Sequence, residues 1–357
     1  MSIIIFILIL GLLIFVHELG HFLVAKKSGI RVDEFAIGFP PRIFSFVKNG
    51  TRYALNMIPF GGYVKIYGEN PDDGASDKNA HDSMLNKPKS VQALVLVAGV
   101  VFNMLLAFLL MWILFIRGVD FPEQLVPFVD QTSDGVRVEY VLEDSVAQMA
   151  GLQINDIILS VTTPEHSTVT DPINITSVLY SDTKEITDLV LLRNKDIIEI
   201  TLIPIDSETR FGFSLTDRVY IKDNPFVAVY HSYIMTGHLT KLTTIGLFEF
   251  FGKLFTGRAN FEEVAGPVGI VSLVDKAADN GLNDVLFLTA IISINLAILN
   301  LLPIPALDGG RLVVVGIEAI RRKDLDHTKV SIVNLVGFLL LIGLMILLTF
   351  HDIRNLF

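Results

Sequence analysis

The sequence predicts a multi-pass α-helical membrane protein with about four transmembrane helices, a membrane-associated β-hairpin and one inserted α+β domain. The chain has 357 residues, of which 51% are hydrophobic, and its mean hydropathy is +0.56. Apolar stretches match the roughly 20 helical residues that a bilayer requires at Ile3–Ala25, Val91–Ile116, Val285–Leu302 and Ser331–Phe350. A long polar segment between the second and third stretches has room for a soluble domain.

Composition excludes several classes of protein and of site. The net charge of −10 argues against nucleic acid as a partner. The chain has no cysteine, which excludes disulfides and thiolate zinc sites. The N-terminal apolar run is too long for a signal-peptide core and lacks a basic start, so we expect it to remain as a membrane span.

Charged residues near the span ends predict the orientation. Lysines and arginines concentrate in segment 26–90 and again after the third span, whereas acidic residues outnumber basic ones in segment 117–283. Because cytoplasmic loops carry the excess of Lys and Arg, the first two segments are predicted to be cytoplasmic and the third external. Both chain termini are then external as well.

The first span contains a metal-binding pattern, His17-Glu18-Leu19-Gly20-His21. Residues four apart share a helix face, so both imidazoles can reach one Zn²⁺, and Glu18 can take a proton from a zinc-bound water. His17 lies roughly 13 Å inward from Lys26 along the helix. A chance match is one alternative, and a polar cap at the cytosolic edge is another. Ionisable residues inside a span are costly and usually functional, and a cap would follow Ala25.

A β-hairpin is predicted between the first two spans. Arg42–Val47 and Thr51–Ile58 flank Lys48-Asn49-Gly50, and Asn-Gly between β-prone runs is a strong hairpin signal. Further turns are predicted at Gly38–Pro41 and Pro59–Tyr63, and residues 68–90 read as a polar loop. The hairpin is either a small cytoplasmic element without a role or a sheet beside the metal. In the second case its free edge, at Tyr53, Leu55 and Met57, would bind an extended peptide by strand addition.

Polar residues in the other spans offer further candidates. Gly99 and Asn103 share one face of the second span and indicate either close helix packing or a role for Asn103 near the active site. After the third span, prolines break the helix and Asp308 follows. A catalytic zinc usually has three protein ligands, and Asp308 is the best third candidate. The alternative is that Asp308 caps the next helix.

Residues 126–217 are predicted to form the inserted domain, with short alternating runs at 136–142, 157–161, 189–192, 197–202 and 211–215. The segment Val141–Ile158 resembles the signature of a PDZ domain. Asn155 stands where that family usually has Gly, and Asn tolerates positive φ better than most residues. Val227–Leu254 has helical periodicity and is expected to lie at the outer interface. Its residues His231 and His238 are not at a convincing spacing for a second metal site.

We therefore divide the chain into 1–116, with the zinc motif, the hairpin and the second span; 126–217, the PDZ-like domain; 225–283, an interfacial amphipathic region; and 284–357, with the last two spans and the aspartate.

Together these motifs resemble the site-2 protease family, in its bacterial branch of regulated intramembrane proteolysis. They are H-E-x-x-H in span one, Gly-x-x-x-Asn in span two, the PDZ-like insert, and Asn-x-x-Pro-x-Pro-x-Leu-Asp-Gly-Gly ending the third span. The resemblance covers nearly the whole chain. It implies a zinc metalloprotease of the bacterial inner membrane that cuts transmembrane helices.

The resemblance also implies residue roles. His17, His21 and Asp308 look like the zinc ligands, and Glu18 looks like the catalytic acid/base. Asn295 and Asn300 match positions that help hold the substrate strand. Gly38-Phe39 and the hairpin match a membrane-reentrant β element. Relatives from Gram-negative bacteria carry two PDZ domains, whereas this chain has room for one.

The implied partners are the lipid bilayer and single-span membrane proteins of the anti-sigma-factor or signal-peptide-remnant type. An upstream site-1 protease would act indirectly by an earlier external cut. One alternative function is a catalytically inactive scaffold that binds partners through the PDZ-like domain, and another is a zinc transporter. The intact Glu18 with all three ligands speaks against the scaffold. A single site with no second polar relay speaks against the transporter.

Overall fold

The computed structural model describes residues 2–69, 80–122, 125–128, 136–143, 145–154, 156–164, 168–170, 172–180, 186–193, 196–204, 211–216, 218–256, 258 and 266–356. The chain forms two compact units. Unit 1 comprises Met1–Leu114 and Thr236–Phe357, and unit 2 comprises Phe115–Met235. The finer division into four segments stays a prediction, and so does the turn at Asn155, which lies outside the described residues.

The helices are α1 (Ser2–Lys27), α2 (Lys89–Arg117), α3 (Val146–Met149), α4 (Pro172–Tyr180), α5 (Pro225–Phe255), α6 (Pro267–Asn280), α7 (Leu282–Leu301), α8 (Asp308–Arg321) and α9 (His327–Leu356). The strands are β1 (Val32–Lys48), β2 (Thr51–Ile66), β3 (Val119–Pro122), β4 (Val136–Val141), β5 (Ile157–Thr162), β6 (Thr187–Arg193), β7 (Asp196–Leu202), β8 (Phe213–Thr216) and β9 (Arg218–Ile221).

Four helices are long and apolar enough to cross a membrane: α1 over Ile3–Lys27, α2 over Lys89–Arg117, α7 over Leu282–Leu301 and α9 over Thr328–Arg354. These four helices coincide with the four predicted spans.

Helix α1 ends in a left-handed glycine. Gly29 has φ of +66°, and the amide of Ile30 donates to the carbonyl of Ala25 at 3.0 Å. This arrangement satisfies carbonyls that a helix end would leave free. Lys26 and Lys27 in the last turn favour the negative end of the helix dipole. The chain thus turns sharply from α1 into the first strand.

Strands β1 and β2 form the predicted hairpin around Asn49 and Gly50, whose φ values are +50° and +76°. Positive φ at both central residues is typical of the tight turn that Asn-Gly favours. The strands continue well beyond the predicted runs. The predicted turns at Gly38–Pro41 and Pro59–Tyr63 are wrong, because they do not end a strand. Strand β1 continues through the first and strand β2 through the second.

The two long strands pair twice, which corrects the predicted edge. Residues 34–37 register with 52–55 on one side and with 62–65 on the other, and residues 44–48 also register with 51–55. Tyr53 and Leu55 therefore lie in the interior of the sheet, and the prediction of a free edge there is wrong. The sheet's outer segments are instead 42–48 and 62–66.

The sheet packs on the membrane helices through a shared apolar cluster. Its buried members come from the end of α1, the turn after it, both strands, Met84, α2 and α8: Ala25, Ile30, Val32, Phe35, Val64, Ile66, Met84, Val95, Leu96 and Val315. Burying these side chains fixes segment 62–66 of the sheet beside α1 and α2.

Unit 2 contains a five-stranded sheet in the order β7-β6-β5-β4-β8, with the short helices α3 and α4. The strands coincide with the predicted alternating runs. Inward side chains such as Val138, Ile158 and Leu189 are fully buried. Strand β3 precedes this sheet in the sequence and strand β9 follows it. The two strands pair as an antiparallel ribbon in which Pro122 registers with Arg218.

A buried ion pair fastens the turn before β5. The carboxylate of Asp156, only 1% exposed, accepts hydrogen bonds from Arg193 Nε at 2.7 Å and from Arg193 Nη2 at 2.6 Å. Arg193 also donates to the Gly151 carbonyl at 2.7 Å. The hydrogen bond to Asp156 raises the pKa of the Arg193 guanidinium. The pair joins the turn at Gly151 to strand β6.

The helix predicted at Val227–Leu254 is α5, and its interfacial location stays a prediction. The Asn224 side chain caps it by accepting from the amides of Phe226 and Val227 at 3.1 Å. His231 lies 2.7 Å from Asp223. Within the described part of the chain, the residues that could hold a metal are His17, His21 and Asp308. The α5 histidines therefore form no second site there.

Candidate active site

Helix α1 places two imidazoles on one face, as the spacing of four residues predicts. The Nε2 atoms of His17 and His21 lie 3.2 Å apart, and both residues are buried. The site is therefore enclosed within a span, where unpaired polar groups are costly.

The junction between α7 and α8 supplies the carboxylate. Helix α7 ends at Leu301, Leu302 turns into extended backbone, and α8 begins at Asp308. The side chain of Asp308 does not cap α8, because the capping position is Leu307. Asp308 Oδ2 instead lies 3.1 Å from His17 Nε2 and 3.3 Å from His21 Nε2. The capping alternative is therefore wrong.

Two glycines make this junction sterically allowed. A Cβ at Gly309 would overlap the carbonyl oxygens of Leu301 and Leu302. At Gly310 it would overlap the carbonyl of Ile304. The backbone at the start of α8 therefore packs directly against the end of α7. This close contact positions Asp308 beside the histidines.

The three side chains fit a zinc ion. One ligand atom from each of His17, His21 and Asp308 lies within 4.8 Å of the other two. Two imidazole nitrogens and one carboxylate oxygen are a common donor set for catalytic zinc, which keeps a fourth position for water or substrate. The outer nitrogen of His21 supports the fit, because its Nδ1 lies 2.8 Å from the Val95 carbonyl. A carbonyl only accepts, so Nδ1 carries the proton and the lone pair of Nε2 points at the cluster.

Glu18 faces the same cavity as the cluster. The cavity is lined by His17, Glu18, His21 and Asp308. Residues of β2 and α2, together with Glu69 and Met84, complete the lining: Tyr63, Val64, Ile66, Glu69, Met84, Val95 and Leu96. A Cβ at Gly62 would lie 3.7 Å from Glu18 Cγ and 3.0 Å from the Ala36 carbonyl. Gly62 of β2 therefore lies directly beside the Glu18 side chain.

The other predicted residues occupy different places. Tyr53 stacks on Phe46 at 5.2 Å between ring centroids, and the side chains of Leu55 and Met57 are exposed. They are not among the residues that line the cavity. Asn295 and Asn300 are half-buried on α7. Neither side chain hydrogen-bonds to another residue in the described part of the chain.

Tyr63 and Val64 line the cavity although the sequence patterns do not predict them as site residues. The Tyr63 hydroxyl donates to Glu34 Oε1 at 3.1 Å, which ties the cavity wall to β1. The run Gly61-Gly62-Tyr63 could have signalled a close approach of backbone to a site, although the same run is also typical of a turn.

The cluster and its setting in apolar helices define a candidate zinc centre. The chain matches the family model described as Peptidase family M50 over residues 5–344, and it belongs to this family. The family match and the cluster together make the chain a zinc metalloprotease that is an integral membrane protein.

Relatives with the name RasP resemble the chain along its whole length. The zinc metalloprotease RasP of Bacillus licheniformis is 31% identical, over 100% of this chain and 99% of its own. The regulator of sigma-W protease RasP of Bacillus subtilis is 30% identical, over 100% of this chain and 99% of its own. The zinc metalloprotease RasP of Oceanobacillus iheyensis is 29% identical with the same coverage.

Replacing Asp308 by Asn is expected to weaken zinc binding about 10-fold or more, because a neutral amide is a poorer ligand beside two imidazoles. Zinc affinity is measured by competition with a chelator on the purified full-length protein. Asp324→Asn is the control, since Asp324 is an exposed carboxylate that pairs with Lys89. Zinc affinity equal to wild type in Asp308→Asn would exclude Asp308 as a ligand.

Proposed function

We propose that this protein is an intramembrane endopeptidase that hydrolyses peptide bonds within transmembrane segments of single-span membrane proteins. The observation that carries the proposal is the position of the histidine–carboxylate cluster. His17 and His21 lie inside a helix that is apolar enough to span a bilayer, and they meet Asp308 at the end of another spanning helix. A site built there acts on segments that are themselves within the membrane.

The proposed orientation rests on the distribution of charge. Basic residues follow α1 and α8, whereas segment 117–283 is rich in acidic residues. By the positive-inside rule, the cluster lies toward the cytoplasmic side of the bacterial inner membrane, and both termini and the inserted domain are external. Water would then reach the cluster from the cytoplasm.

The proposed residue roles follow from the donor set. His17, His21 and Asp308 would hold zinc, which would supply Lewis-acid polarisation of the scissile carbonyl and of the attacking water. Glu18 takes a proton from the attacking water and later gives a proton to the leaving amine. Its carboxylate is suited to both steps because it shares the cavity with the cluster while remaining outside the ligand set.

Glu18→Gln is expected to lower the cleavage rate by about 100- to 10,000-fold, the usual contribution of a general acid–base group. Zinc affinity should stay at the wild-type level, because the ligand set is intact. Cleavage of a single-span membrane peptide and zinc content are measured on the same preparation. The control is Glu199→Gln, which removes an exposed carboxylate from β7. Near wild-type cleavage by the Glu18→Gln variant would refute the proposed mechanism.

A transmembrane helix hides its amides in internal hydrogen bonds, so a substrate must unwind before cleavage. Pairing the unwound segment as an added strand replaces the lost backbone bonds. We place this pairing at segment 62–66 of β2, because this outer segment of the sheet contributes Tyr63, Val64 and Ile66 to the cavity. The half-buried amides of Asn295 and Asn300 are available to hold the strand from α7.

The other outer segment of the sheet fits the membrane instead. Ile43, Phe44, Phe46 and Val47 are all exposed, although both faces of this segment are apolar. We propose that this arm of the hairpin enters the lipid headgroup region, as a membrane-associated element would. The two outer segments thus have separate roles, one toward substrate and one toward lipid.

Proline scanning separates these roles. Proline at whichever of Tyr63, Val64 and Lys65 points its amide outward should slow cleavage about 10-fold or more, because it removes a ladder bond to the added strand. Zinc affinity should not change. The matched control is proline at an outward amide among Phe44, Ser45 and Phe46 in the other outer segment. Unchanged cleavage at every position of the first series would rule out strand addition at this edge.

We propose that the inserted domain at 126–217 is PDZ-like and excludes substrates whose external part is still bulky. Its compact five-stranded fold supports a role as an independent steric barrier. Substrates would then need an earlier external cut by a site-1 protease. The name of the Bacillus subtilis relative, regulator of sigma-W protease, favours anti-sigma-factor substrates. Signal-peptide remnants are the second class to test.

Deleting Val126–Asp217 is expected to let untrimmed substrates be cut while zinc affinity stays unchanged. The structure offers a clean way to close the gap, since Pro122 and Arg218 are partners in the β3–β9 ribbon. A short Gly/Ser turn between them preserves that ribbon. Cleavage of trimmed and untrimmed versions of one peptide is compared for both proteins. If the deletion protein keeps the preference for the trimmed peptide, the filter lies elsewhere in the chain.

A further inference from the structure

One face of α2 packs against the imidazoles of both His17 and His21. Val95, Gly99 and Asn103 are spaced by four residues and therefore lie in one row along the helix. A Cβ at Gly99 would overlap His21 Nε2 and would lie 2.6 Å from His17 Cε1. The two imidazoles thus rest directly on the backbone of α2, with a polar group of α2 on either side of Gly99.

The group on one side is the Val95 carbonyl, which fixes His21. The group on the other side is the Asn103 side chain, whose Nδ2 lies 3.3 Å from His17 Nδ1. Asn103 is completely buried. Ser293 on α7 donates to the Asn103 backbone carbonyl at 2.8 Å, which anchors this part of α2. The amide of Asn103 is thus fixed beside the outer nitrogen of His17.

The placement of the amide conflicts with the protonation that metal binding requires. His17 Nε2 faces His21 and Asp308, so a metal there takes its lone pair and leaves the proton on Nδ1. An N–H at Nδ1 needs an acceptor, whereas Asn103 Nδ2 is a donor. The acceptor atom, Asn103 Oδ1, is buried and has no hydrogen-bond partner among the described residues. A half-turn of the amide exchanges the two atoms and brings Oδ1 to His17 Nδ1.

We propose that Asn103 is a positioning residue whose side-chain carbonyl accepts the Nδ1 proton of His17 and so directs the Nε2 lone pair to the metal. Metal-bound histidines commonly donate their other N–H to such an acceptor, which orients the ring and fixes its tautomer. Asn103 does for His17 what the Val95 carbonyl does for His21. An amide accepts without adding a second negative charge inside the membrane, which a carboxylate at this position would do.

This inference rests on the proposed ligand set and is tested by zinc affinity rather than by cleavage. Asn103→Leu keeps the size of the side chain and removes the acceptor, so it should weaken zinc binding about 10- to 100-fold. Asn103→Asp keeps an acceptor at the same place and should stay within about threefold of wild type. Full-length proteins in detergent are titrated with zinc against a chelator, and the thermal unfolding of each zinc-free protein is recorded.

Gln92→Leu is the matched control. Gln92 is another buried amide of α2, but its hydrogen bonds go to the carbonyls of Leu85 and Lys87 at 3.3 Å and 2.9 Å. This variant should lower stability without changing zinc affinity. If Asn103→Leu does not fold, Asn103→Ala takes its place in the comparison with Asn103→Asp.

The outcomes separate the inference from the proposed function. Wild-type zinc affinity in Asn103→Leu overturns the inference. An equal loss in Asn103→Asp and Asn103→Leu overturns it too, because the acceptor would then not be what matters. His17→Ala tests the ligand set itself. If it keeps wild-type affinity, His17 is not a ligand and the proposed site fails, whereas loss in His17→Ala without loss in Asn103→Leu refutes only the role of Asn103.

Discussion

The structure depends on one constraint, which is that polar and ionisable side chains inside a spanning helix must find partners within the protein. An isolated charge in the hydrocarbon is costly. His17, Glu18 and His21 introduce three such groups within five residues of α1. Asp308, at the α7–α8 junction, contacts both histidines. From α2, the Val95 carbonyl contacts His21 and the Asn103 side chain contacts His17. The mutual contact of these helices is therefore required by the site as well as by apolar packing.

Close approach of backbones is the second requirement, and small residues meet it. A Cβ at Gly20 would lie 2.5 Å from the Ala98 carbonyl, so α1 and α2 touch directly next to the histidines. Gly99 makes room for the imidazoles, and Gly309 makes room for the end of α7. In a bilayer, where lipid tails are as apolar as leucine, this kind of contact is the main way for helices to associate tightly. A larger side chain at any of these positions would separate the groups that must meet.

Much of this could be predicted from the sequence because the signals are local. The four spans follow from runs of apolar residues, the pairing of His17 and His21 follows from helical period, and the hairpin turn follows from Asn49-Gly50. The register of the sheet could not be predicted, because β1 and β2 bend and pair a second time through contacts between residues far apart in sequence. The local pattern therefore predicts an edge at Tyr53 and Leu55, whereas Tyr63 and Val64 occupy it. The acceptor role of Asn103 also needed the structure, since a Gly-x-x-x-Asn pattern predicts packing equally well.

The position of the carboxylate is determined by more than its contact with the histidines. Helix α8 begins at Asp308, and one turn later Arg311 pairs with Glu69 and donates to the Glu69 carbonyl at 2.7 Å. Near its other end, Glu318 accepts from Lys89 Nζ at 2.8 Å, and Lys89 is the first residue of α2. Helix α8 is thus tied to the same helix that carries Val95 and Asn103. The two histidines contact α2 directly, and the helix that begins with Asp308 is bonded to α2 as well. The protein therefore holds the ligand atoms near one another before any metal binds. Such preorganisation lowers the cost of assembling the site and keeps a fixed geometry available for catalysis.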